Sequence, residues 1–340
     1  MVTPDKVSIS IIIPVHNGGE SFRKCLSSLR KSEIAPNEII VVSDADTDGS
    51  WLVASEFGAK VIRMPENQGP AKARNLGASI ASGDILYFVD ADVVISPDAI
   101  TQVEKAFTQE PSLAALIGSY DDEPGETNFL SQYKNLLHHY THQIGNEEAF
   151  TFWGACGAIR REIFLSLGGF DESYRRPSIE DIELGYRIRS AGYKIRLFKN
   201  LHVKHLKNWG FLSLAKAEIL YRALPWTELI LRHRQLNNDL NLGVSSRLSV
   251  ICVFGMLTSL FLSFWWVGFL AIAALLSLVV LRLNFEVYRF FYRKRGLTFA
   301  LRVIPWHCFY YFYGGLAFAI GTSNYLWNEW FLSKLDTSTT

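Results

Sequence analysis

Ile85-Leu-Tyr-Phe-Val89 runs directly into Asp90-Ala-Asp92, and this junction decides the reading of the fold. Five apolar residues in a row describe a strand covered on both faces, as in a parallel sheet. Two carboxylates at the end of such a strand call for a counter-charge. Alternate residues of an extended chain point to opposite sides, so one acid can face a divalent cation while the other meets a neighbouring ligand group. Hard cations such as Mg²⁺ take oxygen ligands, and substrate phosphates commonly complete their shell. A metal-bound, phosphate-containing substrate is one reading; a solvated turn at a strand end is the other.

Working outward, Ile9-Ser-Ile-Ile-Ile13 and Glu38-Ile-Ile-Val-Val42 are also near-continuous apolar runs, and Phe22, Cys25, Leu26 and Leu29 recur between them at helical spacing. Further strands are predicted at 60–63, 85–89 and 113–118, with helices near 50–57, 70–82 and 97–109. The alternating order implies an open α/β sheet whose ligands bind beyond the carboxyl ends of its strands. Those ends carry polar sequence: Pro14-Val-His-Asn17 after the first strand, Ser43-Asp-Ala-Asp-Thr-Asp-Gly49 after the second and Asp90-Ala-Asp92 after the fourth. Glu66-Asn-Gln-Gly-Pro-Ala-Lys-Ala-Arg-Asn75 begins a helix at Gly69 and Pro70, with Lys72 and Arg74 in its first turns. A helix N-terminus flanked by cations favours phosphate oxygens, and together these residues describe a nucleotide-diphosphate pocket.

At these residues the chain resembles the family-2 inverting glycosyltransferases of the GT-A fold. The resemblance rests on Pro14–Asn17, Ser43–Asp48, Asn67–Asn75, Asp90–Asp92, Gly168-Gly-Phe-Asp171 and Glu180-Asp181, six motifs in order over about two-thirds of the chain. It implies an α/β, GT-A-type open mixed sheet with flanking helices. It also implies a nucleotide-sugar site formed by Pro14, His16, Asn17, Asp44, Asp46, Asn67, Gly69, Lys72, Arg74 and Asp90, and Mg²⁺ or Mn²⁺ on Asp92 and Asp90. Two departures bear on the nucleotide base. The second loop reads Ser-Asp-Ala-Asp-Thr-Asp, which puts Asp44 on the base-contacting acid with Asp46 as its alternative, and His16 stands where Tyr is frequent. The expected donor is a UDP-sugar, with a GDP-sugar as the alternative.

Residues 118–205 are expected to serve the acceptor. The small residues of Phe152-Trp-Gly-Ala-Cys-Gly157 let a sugar approach the backbone near Gly154, while Trp153 suits either a sugar platform or the core. Glu180, Asp181 and Glu183 open a helix, a placement that the helix dipole alone explains. The resemblance makes Asp181 the general base and puts Glu180 on the acceptor side. His205, within Val203-Lys-His-Leu-Lys207, is a third metal or diphosphate contact by the same likeness, or a structural histidine. His138, His139 and His142 share a predicted helix, and their spacing does not define a zinc site.

Beyond this catalytic domain, expected over 1–208 with a nucleotide-sugar half at about 1–95 and an acceptor half at about 96–208, the composition changes. Residues 209–240 read as an amphipathic connector: apolar positions such as Leu214, Ile219 and Trp226 alternate with Lys216, Arg222 and Arg232, which suits a helix in a membrane interface or one packed on the catalytic domain. Leu248 to Leu281 contains 34 residues without a charge; a single helix of that length would extend ~50 Å against a hydrocarbon core of ~30 Å. Two spans are expected instead, at about 248–264 and 267–283, with a third at about 303–323 that is either a crossing or a re-entrant segment. Arg282, Arg289, Arg293, Lys294, Arg295 and Arg302 predict a cytoplasmic link, hence a multi-pass membrane protein with its catalytic domain on the cytoplasmic side of the cell membrane. The N-terminus enters a core strand at once, so no signal peptide is expected. Cys25, Cys156, Cys252 and Cys308 show neither metal nor disulfide spacing.

A net charge of +1 leaves no electrostatic footprint for nucleic acid. The expected function is metal-dependent, inverting transfer of a sugar to a membrane-associated lipid or lipid-linked glycan. The alternatives are a processive polysaccharide synthase, whose Gln-x-x-Arg-Trp motif is absent, and a catalytically silent nucleotide-binding scaffold.

Overall fold

A computed structural model describes residues 6–234 and 242–337, with side chains to residue 330. The chain divides into two compact units, Met1–Gly210 and Phe211–Thr340.

The first unit carries nine strands: β1 Ile9–Val15, β2 Glu38–Asp44, β3 Lys60–Met64, β4 Ile85–Val89, β5 Val93–Ile95, β6 Ala115–Tyr120, β7 Glu148–Ala149, β8 Cys156–Arg160 and β9 Ile195–His205. Its helices are α1 Gly19–Arg30, α2 Ser50–Phe57, α3 Pro70–Ile80, α4 Ala99–Gln109, α5 Phe129–Ile144, α6 Arg161–Ser166 and α7 Glu180–Ser190. One mixed sheet runs β3-β2-β1-β4-β8-β6-β9-β5, with β7 paired to β9. β3, β2, β1 and β4 are parallel, whereas β8 lies antiparallel to both β4 and β6.

The apolar runs follow from burial on both faces. Ile9, Ile11, Ile13 and Val15 pack with Phe22, Leu26 and Val103 of α1 and α4, while Ile12, Ile40 and Val42 pack with Ala71, Ala78 and Leu184 of α3 and α7. β2 and β4 flank β1 on opposite sides, so the chain reverses its order at β1. That reversal opens a crevice at the carboxyl ends of β1 and β4, where the polar loops lie.

Polar clasps close the other end of the sheet. Asp84 Oδ2 accepts hydrogen bonds from Ser8 N at 2.9 Å and Ser8 Oγ at 2.7 Å, and these bonds hold its carboxyl below the ordinary value of 3.8. A depressed folded-state value contributes stability above the unfolded value, and the contribution is lost as pH falls through the folded one. Ser8→Ala should therefore lower the melting temperature at neutral pH and differ less from the parent below pH 3.8. A gap that does not narrow on acidification would show that the clasp does not act through this carboxyl.

The second unit begins with α8 Phe211–Lys216, a π-helical stretch Ala217–Ala223 and α9 Leu224–His233, and continues with α10 Val244–Leu262, α11 Phe269–Leu283 and α12 Phe285–Thr337. Pro225 sits in the first turn of α9, where its missing N–H costs no bond, so the expected kink appears as a π-helical segment upstream. Leu212, Phe211 and Leu220 are exposed; residues 235–240 of the expected connector lie outside the described residues. Three separate spans do not appear among the described residues. Of these helices only α10 is by itself long and apolar enough to cross a bilayer, and α11 qualifies only with α12 as a pair bent by 63°. At 15 residues α11 extends ~22 Å, short of the hydrocarbon thickness. The third expected span is part of α12, whose helical geometry breaks at Gly296 (φ 80°) rather than at Pro305.

Candidate active site

The loops after β1 and β2 are built as one piece. Asn17 Oδ1 accepts from Thr47 N at 2.7 Å, and His16 Nδ1 donates to the Asp44 carbonyl at 2.7 Å. Asn17 and Ala45 both take left-handed backbone with φ of 53°, a conformation that is costly for alanine and persists only where the surroundings enforce it. Pro14 is buried at the end of β1, and His16 and Asn17 are exposed at its mouth.

Asp44 has a different task from the expected base contact. It is buried, and its two oxygens accept from Gln68 N at 2.8 Å and Gly69 N at 2.9 Å, so it pins the loop leading into α3. Asp46, half-buried, bonds Ser43 Oγ and, at 3.4 Å, Trp51 N. Asn67 is exposed on the same loop. Gly69 has φ of 90°, and an added Cβ would lie 2.4 Å from the Arg175 carbonyl oxygen; both facts require glycine there. They also show that the segment after Asp171 lies over the start of α3.

The two cations expected on the diphosphate are committed to carboxylates. Arg74 is buried, with Nη2 donating to Asp90 Oδ1 at 2.7 Å and Nη1 to Glu180 Oε1 at 2.9 Å. Burial alone would lower its pKa; the charges of Asp90 and Glu180 outweigh that and hold the guanidinium charged. Lys72 Nζ lies 2.7 Å from Glu172 Oε2 at the surface. Glu180 is likewise not an acceptor contact: it is buried, and its second oxygen accepts from Ser178 N at 2.8 Å. Arg74 and Glu180 thus form a strut from Asp90 to α7. Asn75 adds a second tie, accepting from Phe170 N at 2.8 Å and donating to the Phe170 carbonyl at 2.8 Å. The Asn67–Asn75 motif therefore holds the Gly168–Asp171 turn in place.

Asp181, next to Glu180, keeps a partly exposed carboxylate. Its Oδ2 accepts from Gly154 N at 3.0 Å and its Oδ1 from Ile182 N at 2.8 Å, bonds that favour the ionised form. Glu183 is paired with Arg187, which also donates to the Leu167 and Gly169 carbonyls at 2.6 Å each.

Asp92 faces His205 Nε2 at 3.7 Å and Lys207 Nζ at 3.8 Å. Burial would raise its pKa, but the His205 hydrogen bond and charge, with Lys207, hold it below the ordinary carboxylate value. β5 pairing with β9 sets Val93 opposite His205, and this register brings the two ends of the motif together. A carboxylate and an imidazole nitrogen are donors suited to Mn²⁺ or Mg²⁺. Among the described residues no three His, Cys, Asp or Glu side chains gather as a metal cage, so a cation at Asp92 requires substrate phosphate and water to complete its shell. Asp90, committed through Oδ1 to Arg74, is a weaker ligand than expected. Lys207 is the cation that the motif reading passed over. Its signal was the i, i+2 spacing from His205, which sends both side chains to one side of an extended segment.

Trp153 is half-buried, edge-on to Tyr120 at 4.8 Å and beside His138 at 4.7 Å; the opposite neighbour of Tyr120 is His205, stacked at 4.5 Å. The indole therefore belongs to an aromatic group that buttresses His205. His139 and His142 turn Nδ1 to the Tyr120 and Gly118 carbonyls at 2.7 and 3.1 Å.

The fold and this crevice define a GT-A-like α/β protein. Residues 10–168 match the family model described as Glycosyl transferase family 2, and the match ends before Asp181 and His205. The chain is 29% identical over 206 residues to the probable glycosyltransferase YdaM of Bacillus subtilis, covering 56% of this chain and 48% of that protein. It is 26% identical over 222 residues to the pre-mycofactocin glycosyltransferase of Mycobacterium tuberculosis, covering 61% of this chain and 45% of that protein. The chain thus spans about half the length of these curated relatives. Among solved structures it is similar to the mannosyltransferase PcManGT from Pyrobaculum calidifontis in complex with GDP-Man and Mn²⁺, with a TM-score of 0.55 and 16% identity over 95% of this chain and 88% of that one. It is also similar to S. aureus TarS 1-349 in complex with UDP-GlcNAc, with a TM-score of 0.50 and 20% identity over 66% and 65% of the two chains. At these identities the likeness is one of fold.

Proposed function

We propose that the protein is an inverting glycosyltransferase that moves a sugar from a nucleotide-sugar donor to a membrane-associated lipid or lipid-linked glycan, with Mg²⁺ or Mn²⁺ at Asp92 and His205. The observation that carries this reading is the Asp181 carboxylate, oriented by the Gly154 and Ile182 amides, beside the Glu180–Arg74–Asp90 strut. The acceptor hydroxyl attacks the anomeric carbon in a single displacement. Its proton passes to Asp181 as the bond to the diphosphate breaks and the electron pair leaves with the nucleotide. The cation, when bound, neutralises the charge that grows on the diphosphate. Asp92 and His205 hold that cation, Lys207 adds a positive charge beside it, and His16, Asn17 and Asp46 form the nucleotide end of the crevice.

A UDP-sugar is the proposed donor and a GDP-sugar the alternative; the fold neighbours were solved with UDP-GlcNAc and with GDP-Man and Mn²⁺, which supports a nucleotide sugar without choosing the base. Membrane association rests on α10, which is long and apolar enough to span, and on the exposed Trp265 and Trp266 beyond its end.

Thermal shift with UDP-, GDP- and dTDP-sugars plus Mn²⁺ tests the reading, because a ligand that binds the native state raises its stability. One nucleotide should stabilise the parent only with metal, and Asp92→Asn should weaken that metal-dependent binding by more than about tenfold, since even partners of metal ligands are worth that much. Undiminished metal-dependent affinity in Asp92→Asn would remove Asp92 from the metal site.

A further inference from the structure

The second unit holds a cavity of about 660 Å³ between the π-helical stretch with α9, the first half of α10 and the middle of α12. This lies within the usual range of ~300–1,000 Å³ for a site that holds one small ligand. Its wall is mainly apolar, running along α10 from Arg247 past Val250 to Phe254 and along α12 to Phe318. From Arg247 to Phe254 is ~10 Å at 1.5 Å per residue.

Three charged residues interrupt that wall: Glu218, Arg222 and Arg247. Glu218 is buried, and Tyr313 donates to it at 3.4 Å. Two guanidinium groups against one carboxylate leave the lining with an excess of positive charge. Trp226 also lines the cavity, and its indole Nε1–H is buried without a hydrogen-bond partner. A buried donor left unsatisfied is costly, and a ligand oxygen would relieve that cost. The apolar wall suits a hydrocarbon chain, but the excess cation and the unpaired donor beside it call for an anionic oxygen as well.

We propose that this cavity binds one long alkyl or isoprenyl chain that carries a phosphate head, with the head met by Arg222, Arg247 or the Trp226 N–H and the chain along Val250, Phe254 and Phe318. Binding is independent of the transfer reaction and is tested without a nucleotide sugar, so failure of either reading is distinguishable from failure of the other.

Full-length protein in detergent is photolabelled with a diazirine-bearing isoprenyl phosphate, and labelled peptides are mapped by mass spectrometry. The isoprenyl alcohol and a diazirine-bearing phosphatidic acid serve as parallel probes, the second asking whether a bilayer phospholipid can supply the same chemistry. The isoprenyl phosphate should label peptides containing Val250–Phe254 and Gly314–Phe318 in preference to the exposed Leu257, Phe261, Leu275 and Leu278. Gly314 sits in the wall, and a Cβ there meets nothing within 4 Å, so Gly314→Phe should fill the cavity and abolish cavity labelling while Gly314→Ala keeps it. Trp226→Phe and Arg247→Gln should each reduce phosphate labelling by about tenfold, the scale of a hydrogen bond to a charged group, and leave alcohol labelling unchanged. Labelling spread evenly over the exposed helix faces, labelling that survives Gly314→Phe, or equal labelling by phosphate and alcohol would each overturn the proposal. Stronger labelling by phosphatidic acid than by the isoprenyl phosphate would overturn the single-chain assignment.

Discussion

Asp181→Asn is expected to bind donor and metal about as the parent does and to lose transfer by about two to four orders of magnitude, the usual contribution of a positioned proton acceptor. The amide cannot take up the acceptor's proton, yet it has nearly the same shape. Its cost to folding is limited: Asp181 offers one oxygen each to Gly154 N and Ile182 N, Asn offers one oxygen in all, and losing one such bond costs about 1 kcal/mol. Melting temperature measured alongside turnover separates these effects. Glu183→Gln should disturb folding more than chemistry, because Glu183 positions Arg187 on the Leu167 and Gly169 carbonyls. NMR of early product should show an inverted anomeric centre, since a base without a covalent intermediate permits one displacement. Retained configuration, or parental turnover by Asp181→Asn, would overturn the mechanism.

Arg74→Ala should destabilise the fold by about 3–5 kcal/mol, the scale for removing one partner of a buried ion pair. Its guanidinium is 5% exposed and serves both Asp90 and Glu180; without it two carboxylates face each other across the space it leaves. Asn75 still holds the Phe170 turn, so the loss is expected at the strut and not as collapse of the α3 motif. Denaturant titration would register the change, and Glu180→Gln combined with Arg74→Ala should cost less than the two singles added, because each removes the other's unpaired partner. An Arg74→Ala protein that melts with the parent but loses nucleotide affinity would return Arg74 to the diphosphate.

Local pattern was enough for the strands and for the helix between the first two, because a strand buried on both faces has to be apolar throughout, and Ile9–Ile13 and Ile85–Val89 are nearly so. It was also enough to mark the polar strand ends, since an open parallel sheet binds its ligands there. Charge assignments were another matter. Asp44, Lys72, Arg74 and Glu180 belong to motifs that suggest ligand contacts, but whether a charged side chain meets a ligand or another side chain depends on residues far off in sequence. Arg74 meets a partner 106 residues away in Glu180, and no local pattern encodes that distance. Span counting failed for a related reason: hydropathy reports an uncharged stretch, whereas the turn at Ser263–Gly268 leaves α11 at 15 residues, too short alone to cross. The sequence by itself determined the α/β sheet, the crevice and the kinds of residue that line it; the tertiary structure alone decided which charges are spent on one another, because pairing in a buried site is set by what the fold brings within hydrogen-bonding distance.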